Sequence, residues 1–207
     1  MRIGVYGGSF DPVHLGHLLA AECCREQARL DRVVFVPASV PPHKRDRRLA
    51  DAADRVAMLT LAIGGHGAFA VSTIELDRGG VSYTIDTLAE LSSHHPQDTL
   101  VLLLGPDSLA GLPTWREPQA ILDGWEVVAI EREGLDDTAA MIRDPAVTDL
   151  LGHDRAARLI ETRVRMPAIG IRASGLRAAV ADGRSIRFRT PRAVEAYIAT
   201  HGLYRTR

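Results

Sequence analysis

The chain has 207 residues, 46% of them hydrophobic and 25% charged, which at roughly 150 residues per domain excludes a multidomain machine and predicts one globule with a sizeable core. Its 25 basic and 26 acidic residues nearly cancel, so no global field draws it onto nucleic acid or a membrane surface, and any anion it binds must be held locally. The longest strictly apolar run, Leu100 to Leu104, is far short of the roughly 20 residues that span a bilayer.

In chain order, Ile3 to Tyr6 reads as a short buried strand ended by Gly7-Gly8, and Arg32 to Val36 as a second. Between them Leu15, Leu18, Leu19 and Glu22-Cys23 fit one face of a helix. The alternation continues with a helix over Ala53 to Ile63, a strand over Phe69 to Leu76, a helix over Thr84 to His94, and strands over Thr99 to Leu104 and Trp125 to Ile130. Gly134 to Gly152 reads as a polar, partly helical connection. Arg158 to Arg165 is expected as a last strand, Ser174 to Ala181 as a helix capped by its serine, and Thr190-Pro191 as the start of another with Pro at the first helical position. This order predicts an α/β, Rossmann-like, doubly wound parallel sheet with helices on both faces, and ligands beyond the carboxyl ends of the strands. A single domain is expected over 1–207, with a helical C-terminal portion over about 172–207. Met1-Arg2-Ile3 opens no signal peptide, and the only cysteines, Cys23 and Cys24, are adjacent and too close for an unstrained bridge. A cytoplasmic setting is therefore expected.

The chemistry concentrates in the first loop, Gly7-Gly8-Ser9-Phe10-Asp11-Pro12-Val13-His14-Leu15-Gly16-His17. Glycines at a strand exit let backbone N–H groups approach a ligand, and the following helix turns its positive end to the same place, which suits a phosphate. No Gly-Lys-Ser/Thr follows and the glycines are wrongly spaced for a dinucleotide fingerprint. His14 and His17, three apart, share one helix face. A metal site there lacks further ligands of suitable spacing, so none is expected. Ordinary helix-start imidazoles remain an alternative, and donation of N–H to a phosphate oxygen suits the pair best, one such donor being worth about 3 kcal/mol in a transition state.

These residues resemble the nucleotidylyltransferases with a His-x-Gly-His signature, here His14-Leu15-Gly16-His17 after Gly8-Ser9-Phe10-Asp11-Pro12. Further segments resemble the bacterial nicotinate mononucleotide adenylyltransferases: Val36-Pro37 to Pro41-Pro42-His43-Lys44, Ser82-Tyr83-Thr84-Ile85-Asp86-Thr87, Gly105-Pro106-Asp107, Leu112-Pro113-Thr114-Trp115, and Tyr197-Ile198 to Gly202-Leu203-Tyr204. The resemblance implies transfer of AMP from ATP to nicotinate mononucleotide, with Mg2+ on the ATP phosphates, no organic cofactor and no covalent intermediate. It implies that His14, His17 and Lys44 act on the phosphates, and that Gly8, Ser9 and Phe10 line the nucleotide crevice. Ser174 and Arg177 stand where the family opens a helix onto ATP. Thr84 and Trp115 would take the pyridine-carboxylate ring, Asp107 a ribose hydroxyl, and Arg116 is expected to favour the acid over the amide through a bidentate bond. Arg45 to Arg48 fit a solvated face.

The pattern departs from the family at Ile171-Arg172-Ala173-Ser174-Gly175-Leu176-Arg177, where one of three expected hydroxyls survives. Adenylyl transfer to another phosphate ester of the phosphopantetheine type, or an idle nucleotide binder, are the alternatives. The sequence leaves a homo-oligomer open.

Overall fold

A computed structural model describes residues 1–39, 49–134 and 137–205. The elements are β1 (Arg2–Gly8), α1 (Leu15–Gln27), β2 (Arg32–Pro37), α2 (Ala52–Ile63), β3 (Phe69–Val71), α3 (Ile74–Arg78), α4 (Thr84–His94), β4 (Thr99–Leu104) and α5 (Pro106–Gly111). After a 3-10 turn at Leu112–Thr114 come α6 (Pro118–Gly124), β5 (Glu126–Arg132), α7 (Asp137–Ile142), α8 (Pro145–Leu151), α9 (His153–Thr162), β6 (Val164–Met166), α10 (Ala173–Ala181) and α11 (Arg192–Thr200).

The strands form one six-stranded sheet in the order β3-β2-β1-β4-β5-β6, and every pairing is parallel. Strand β4 shows why helices must cover both faces. Val101 and Leu103 face one apolar cluster, with Ala20, Ala21 and Cys24 of α1, Met58 and Leu59 of α2, Leu176 of α10 and Val194 and Ile198 of α11. Leu100, Leu102 and Leu104 face the other, with Leu88 of α4, Leu109 of α5, Ile121 of α6, Ile142 of α7, Val147 of α8 and Leu159 of α9. A strand whose side chains alternate between two dry layers reads as a continuous apolar run, as β4 does. The order reverses between β1 and β4, which sets the crevice at their carboxyl ends.

Four boundaries differ from the sequence reading. The third strand stops at Val71 rather than Leu76, because Ser72 and Thr73 lead into the short helix α3. The expected strand over Arg158 to Arg165 is the end of α9 followed by the three-residue β6. Ala156 and Leu159 of α9 are buried at helical spacing while Arg158 and Glu161 are exposed. Helix α10 is capped by Arg172, with Ser174 already inside its first turn and exposed. Pro191 occupies the N-cap of α11, one position before the place expected for it. In α1 the fully buried face is Ala20, Ala21 and Cys24, with Leu18, Leu19 and Cys23 partly buried. Glu22 pairs instead with Arg25 at 2.6 Å.

Candidate active site

Strand β1 ends at Gly8 and the chain turns through Ser9 to Val13 into α1. Phe10 adopts a left-handed φ of 46°, a conformation that costs a non-glycine residue about 1–3 kcal/mol and persists only where the surroundings enforce it. The enforcement is aromatic packing: its ring is 1% exposed and lies edge-on to Tyr6 at 5.7 Å, Phe35 at 5.6 Å and His17 at 5.1 Å. A Cβ on Gly8 would sit 2.9 Å from the Phe10 ring, so this position takes glycine because the ring approaches its backbone. Phe10 was expected to line the nucleotide crevice. Its side chain is instead core, and it shapes the loop from beneath.

His14 is the N-cap of α1 and its ring stacks on that of His17 at 3.7 Å. His17 in turn lies against the rings of Tyr6 and Phe10. Burial therefore lowers the His14 pKa to about 4 and, helped by the neighbouring His14, lowers that of His17 well below 6.5. Two neutral imidazoles result near pH 7. The His14 backbone N–H donates to His17 Nδ1 at 3.3 Å, which puts the proton of neutral His17 on Nε2 and leaves that atom a hydrogen-bond donor. His14 Nδ1 is buried without a partner.

The cavity at the carboxyl ends of β1 and β4 has a volume of ≈ 460 Å³. It gathers Gly8 and Ser9, which the sequence reading placed on the nucleotide crevice, with Thr84, Asp107, Trp115 and Arg116, which it placed on the second substrate. His14, His17, Ser174 and Arg177 are not among its lining residues. Thr84 is the first residue of α4, where a helix leaves its backbone N–H groups unpaired. Asp107 lies in the first turn of α5 and is exposed. Arg116 is held at the rim by Asp86 at 3.5 Å and by the Tyr83 ring, 5.0 Å from its guanidinium carbon. Lys44, with the rest of Pro41 to Arg48, lies outside the described residues.

Three supporting residues were given no role in the sequence reading. Arg55 of α2 is 2% exposed, and its guanidinium donates to the carbonyls of Ser9 (3.1 Å), Ala38 (2.8 Å) and Ala50 (3.1 Å). Burial lowers its pKa, while the Asp11 charge opposes that shift. One arginine thus ties the first loop to the segment after β2. A signal existed: Arg55 stands at helical spacing with the apolar Met58, Leu59 and Ile63, on a face where a charge must be paired. Glu75 of α3 faces the cavity and its pKa is raised by burial, opposed by the Thr87 hydroxyl at 2.8 Å. Arg78 donates to the same hydroxyl at 2.7 Å, so Thr87 passes a hydrogen bond from a cation to a carboxylate. Asp11, 2% exposed, accepts from Tyr204 Oη at 2.6 Å and from the Ala50 N–H at 3.2 Å. Arg177, expected on ATP, donates to the Asp11 carbonyl.

A glycine-bounded loop feeding a two-histidine helix start at the switch point of such a sheet is a place for a phosphorylated ligand in a doubly wound α/β protein. Residues 5–179 match the family described as cytidylyltransferase-like. The chain is 44% identical over 207 residues to the probable nicotinate-nucleotide adenylyltransferase of Thermomicrobium roseum, covering 99% of this chain and 92% of that one. It is 42% identical over 205 residues to a protein of the same name from Thermus thermophilus, covering 99% and 100%. Among solved structures, the nicotinic acid mononucleotide adenylyltransferase of Plasmodium falciparum complexed with NaAD superposes with a TM-score of 0.74 at 18% identity, covering 98% of this chain and 97% of that one. The chain belongs to the cytidylyltransferase-like family and, within it, to the nicotinate-nucleotide adenylyltransferases.

Proposed function

We propose that the cavity seats nicotinate mononucleotide and the adjoining start of α1 seats the ATP phosphates, for transfer of AMP to give nicotinate adenine dinucleotide and pyrophosphate in NAD biosynthesis. The observation that carries this reading is the convergence of Gly8, Ser9, Thr84, Asp107 and Trp115 on one cavity, beside the start of α1 where His14 stacks on His17 and fixes the His17 tautomer. The 5′-phosphate of the pyridine nucleotide attacks the α-phosphorus. A new P–O bond forms as the bond to pyrophosphate breaks, with the electron pair leaving on the pyrophosphate oxygen. A phosphate needs no deprotonation to act as nucleophile at neutral pH, so the protein positions the reactants and stabilises charge.

His17 Nε2–H donates to the phosphoryl oxygens as charge grows there, with His14 stacked against it. Lys44 is assigned to a substrate phosphate. Gly8 and Ser9 offer backbone to the nucleotide, and Ser174, exposed in the first turn of α10, is assigned to the ATP side. Trp115 stacks on the pyridinium and the Thr84 N–H takes its carboxylate, with Asp107 on a ribose hydroxyl. The family reaction on ATP is metal-assisted, and among the described residues no group of three or more His, Cys, Asp or Glu could hold an ion. Magnesium is assigned to the ATP complex, carried in as substrate. No helix among the described residues is long and apolar enough to cross a membrane, and the reaction, on small phosphorylated metabolites, is assigned to the cytoplasm.

The test is pyrophosphate release by the purified chain with ATP, magnesium and nicotinate mononucleotide, with the dinucleotide identified by mass. His17→Ala is expected to lower turnover by about 100-fold or more, the scale for one transition-state donor. Release without the dinucleotide, or near-normal turnover in that variant, overturns the assignment.

A further inference from the structure

The first loop is held from outside by a segment that contributes nothing to the cavity. Asp11 Oδ1 accepts from Tyr204 Oη at 2.6 Å, its Oδ2 lies 3.6 Å from Arg177 Nη1, and its carbonyl accepts from the same guanidinium. Two residues on, Thr190 Oγ1 donates to the Val13 carbonyl at 2.8 Å, and two further on the Leu15 N–H donates to the Arg189 carbonyl at 3.1 Å. Positions 11, 13 and 15 are thus each tied to residues 177–204. They bracket the strained Phe10 on one side and the His14–His17 pair on the other.

A buried carboxylate beside a site for a polyphosphate is costly unless it is paired. This one segment meets both oxygens of Asp11, Oδ1 by a hydrogen bond and Oδ2 by charge alone, with Ala50 sharing Oδ1. We propose that Tyr204 and Arg177 are positioning residues that act through Asp11 to hold the loop in its ATP-receptive shape, so that the C-terminal segment sets affinity for ATP. This rests on the reading of the α1 start as the ATP side. The effect is specific to one substrate because Leu176, Ile198 and Tyr204 pack on the sheet face shared with α1, whereas Trp115 and Ile85 pack on the opposite face.

The decisive variant is Tyr204→Phe, which keeps the ring and its packing and deletes one hydrogen bond to a charged acceptor. KM for ATP is expected to rise about fivefold or more, with KM for nicotinate mononucleotide within about twofold of wild type. The Kd for ATP measured by calorimetry should rise in parallel. Asp11→Asn, which preserves an oxygen acceptor at the same place, should retain more ATP affinity than Asp11→Ala. Should Asp11→Ala fail to fold, the Tyr204→Phe result decides. Equal rises in both KM values accompanied by a fall in Tm would reduce the contact to a structural brace and overturn the proposal, as would an unchanged KM and Kd for ATP. A wild-type chain that binds ATP but releases no pyrophosphate would sink the functional reading alone, and the Kd values would still decide this one.

Discussion

The histidine pair gives the sharpest prediction, because its neutrality affects both stability and chemistry. In the unfolded chain each imidazole titrates near 6.5, whereas in the folded chain burial lowers His14 to about 4 and His17 well below its ordinary value. Between these values the unfolded state binds protons that the native state refuses, so stability present in full above 6.5 is lost as pH falls toward 4. For His14 the gap of about 2.5 units corresponds to about 3 kcal/mol when integrated. Near pH 5.5 the unfolded imidazoles are roughly nine-tenths protonated; His14 contributes a slope of about 1.2 kcal/mol per pH unit, and His17 adds to it in the same direction. Urea unfolding between pH 5 and 6 measures that slope above the range where carboxylates dominate. The double variant His14→Gln, His17→Gln should flatten it by at least that amount, and the His14 and His17 imidazole NMR signals of the folded wild type should not titrate at 6.5. An unchanged slope in the double variant, or a folded-state titration near 6.5, would refute the reasoning. The same neutrality predicts that these two residues introduce no step in turnover between pH 6 and 8.

Gly8→Ala forces a methyl to 2.9 Å from a Phe10 ring that is enclosed on three sides by Tyr6, Phe35 and His17. It should cost about 1–3 kcal/mol in urea unfolding, as overpacking does, and cut kcat/KM for ATP by about tenfold or more through displacement of His17. Thr87→Val removes the hydroxyl between Arg78 and the buried Glu75 and should cost about 1–3 kcal/mol, with Thr87→Ser restoring most of it. Arg116→Ala should lower the ratio of kcat/KM on nicotinate mononucleotide to that on nicotinamide mononucleotide by several-fold, since only the acid offers a bidentate acceptor; an unchanged ratio in the steady-state comparison leaves Arg116 with its Asp86, Glu117 and Tyr83 contacts.

Periodicity and punctuation were enough to reveal the parallel sheet, because β1, β2, β4 and β5 are dry runs bounded by turn residues and their crossovers are long enough to be helices. They failed where an element is too short to show a period. Phe69 to Leu76 held a three-residue strand and a one-turn helix, and Arg158 to Arg165 held a helix end and another three-residue strand. At the site, legibility followed side-chain direction. Gly8, Ser9, Thr84, Asp107, Trp115 and Arg116 meet at one cavity because they lie at or beside the ends of elements that open on the crevice. At Phe10 a left-handed backbone turns the ring into the core, a direction that a motif does not display. Arg55, Asp11 and Tyr204 act through partners 5 to 193 positions away; Arg55 left a charge on an apolar stripe, while Asp11 and Tyr204 stood inside motif segments whose pairing the sequence did not display. A loop that holds two desolvated imidazoles cannot itself be held by water, so its hydrogen-bond partners have to be distant residues brought in by the fold. The supporting network is therefore invisible in the local sequence for the same reason that the site needs it.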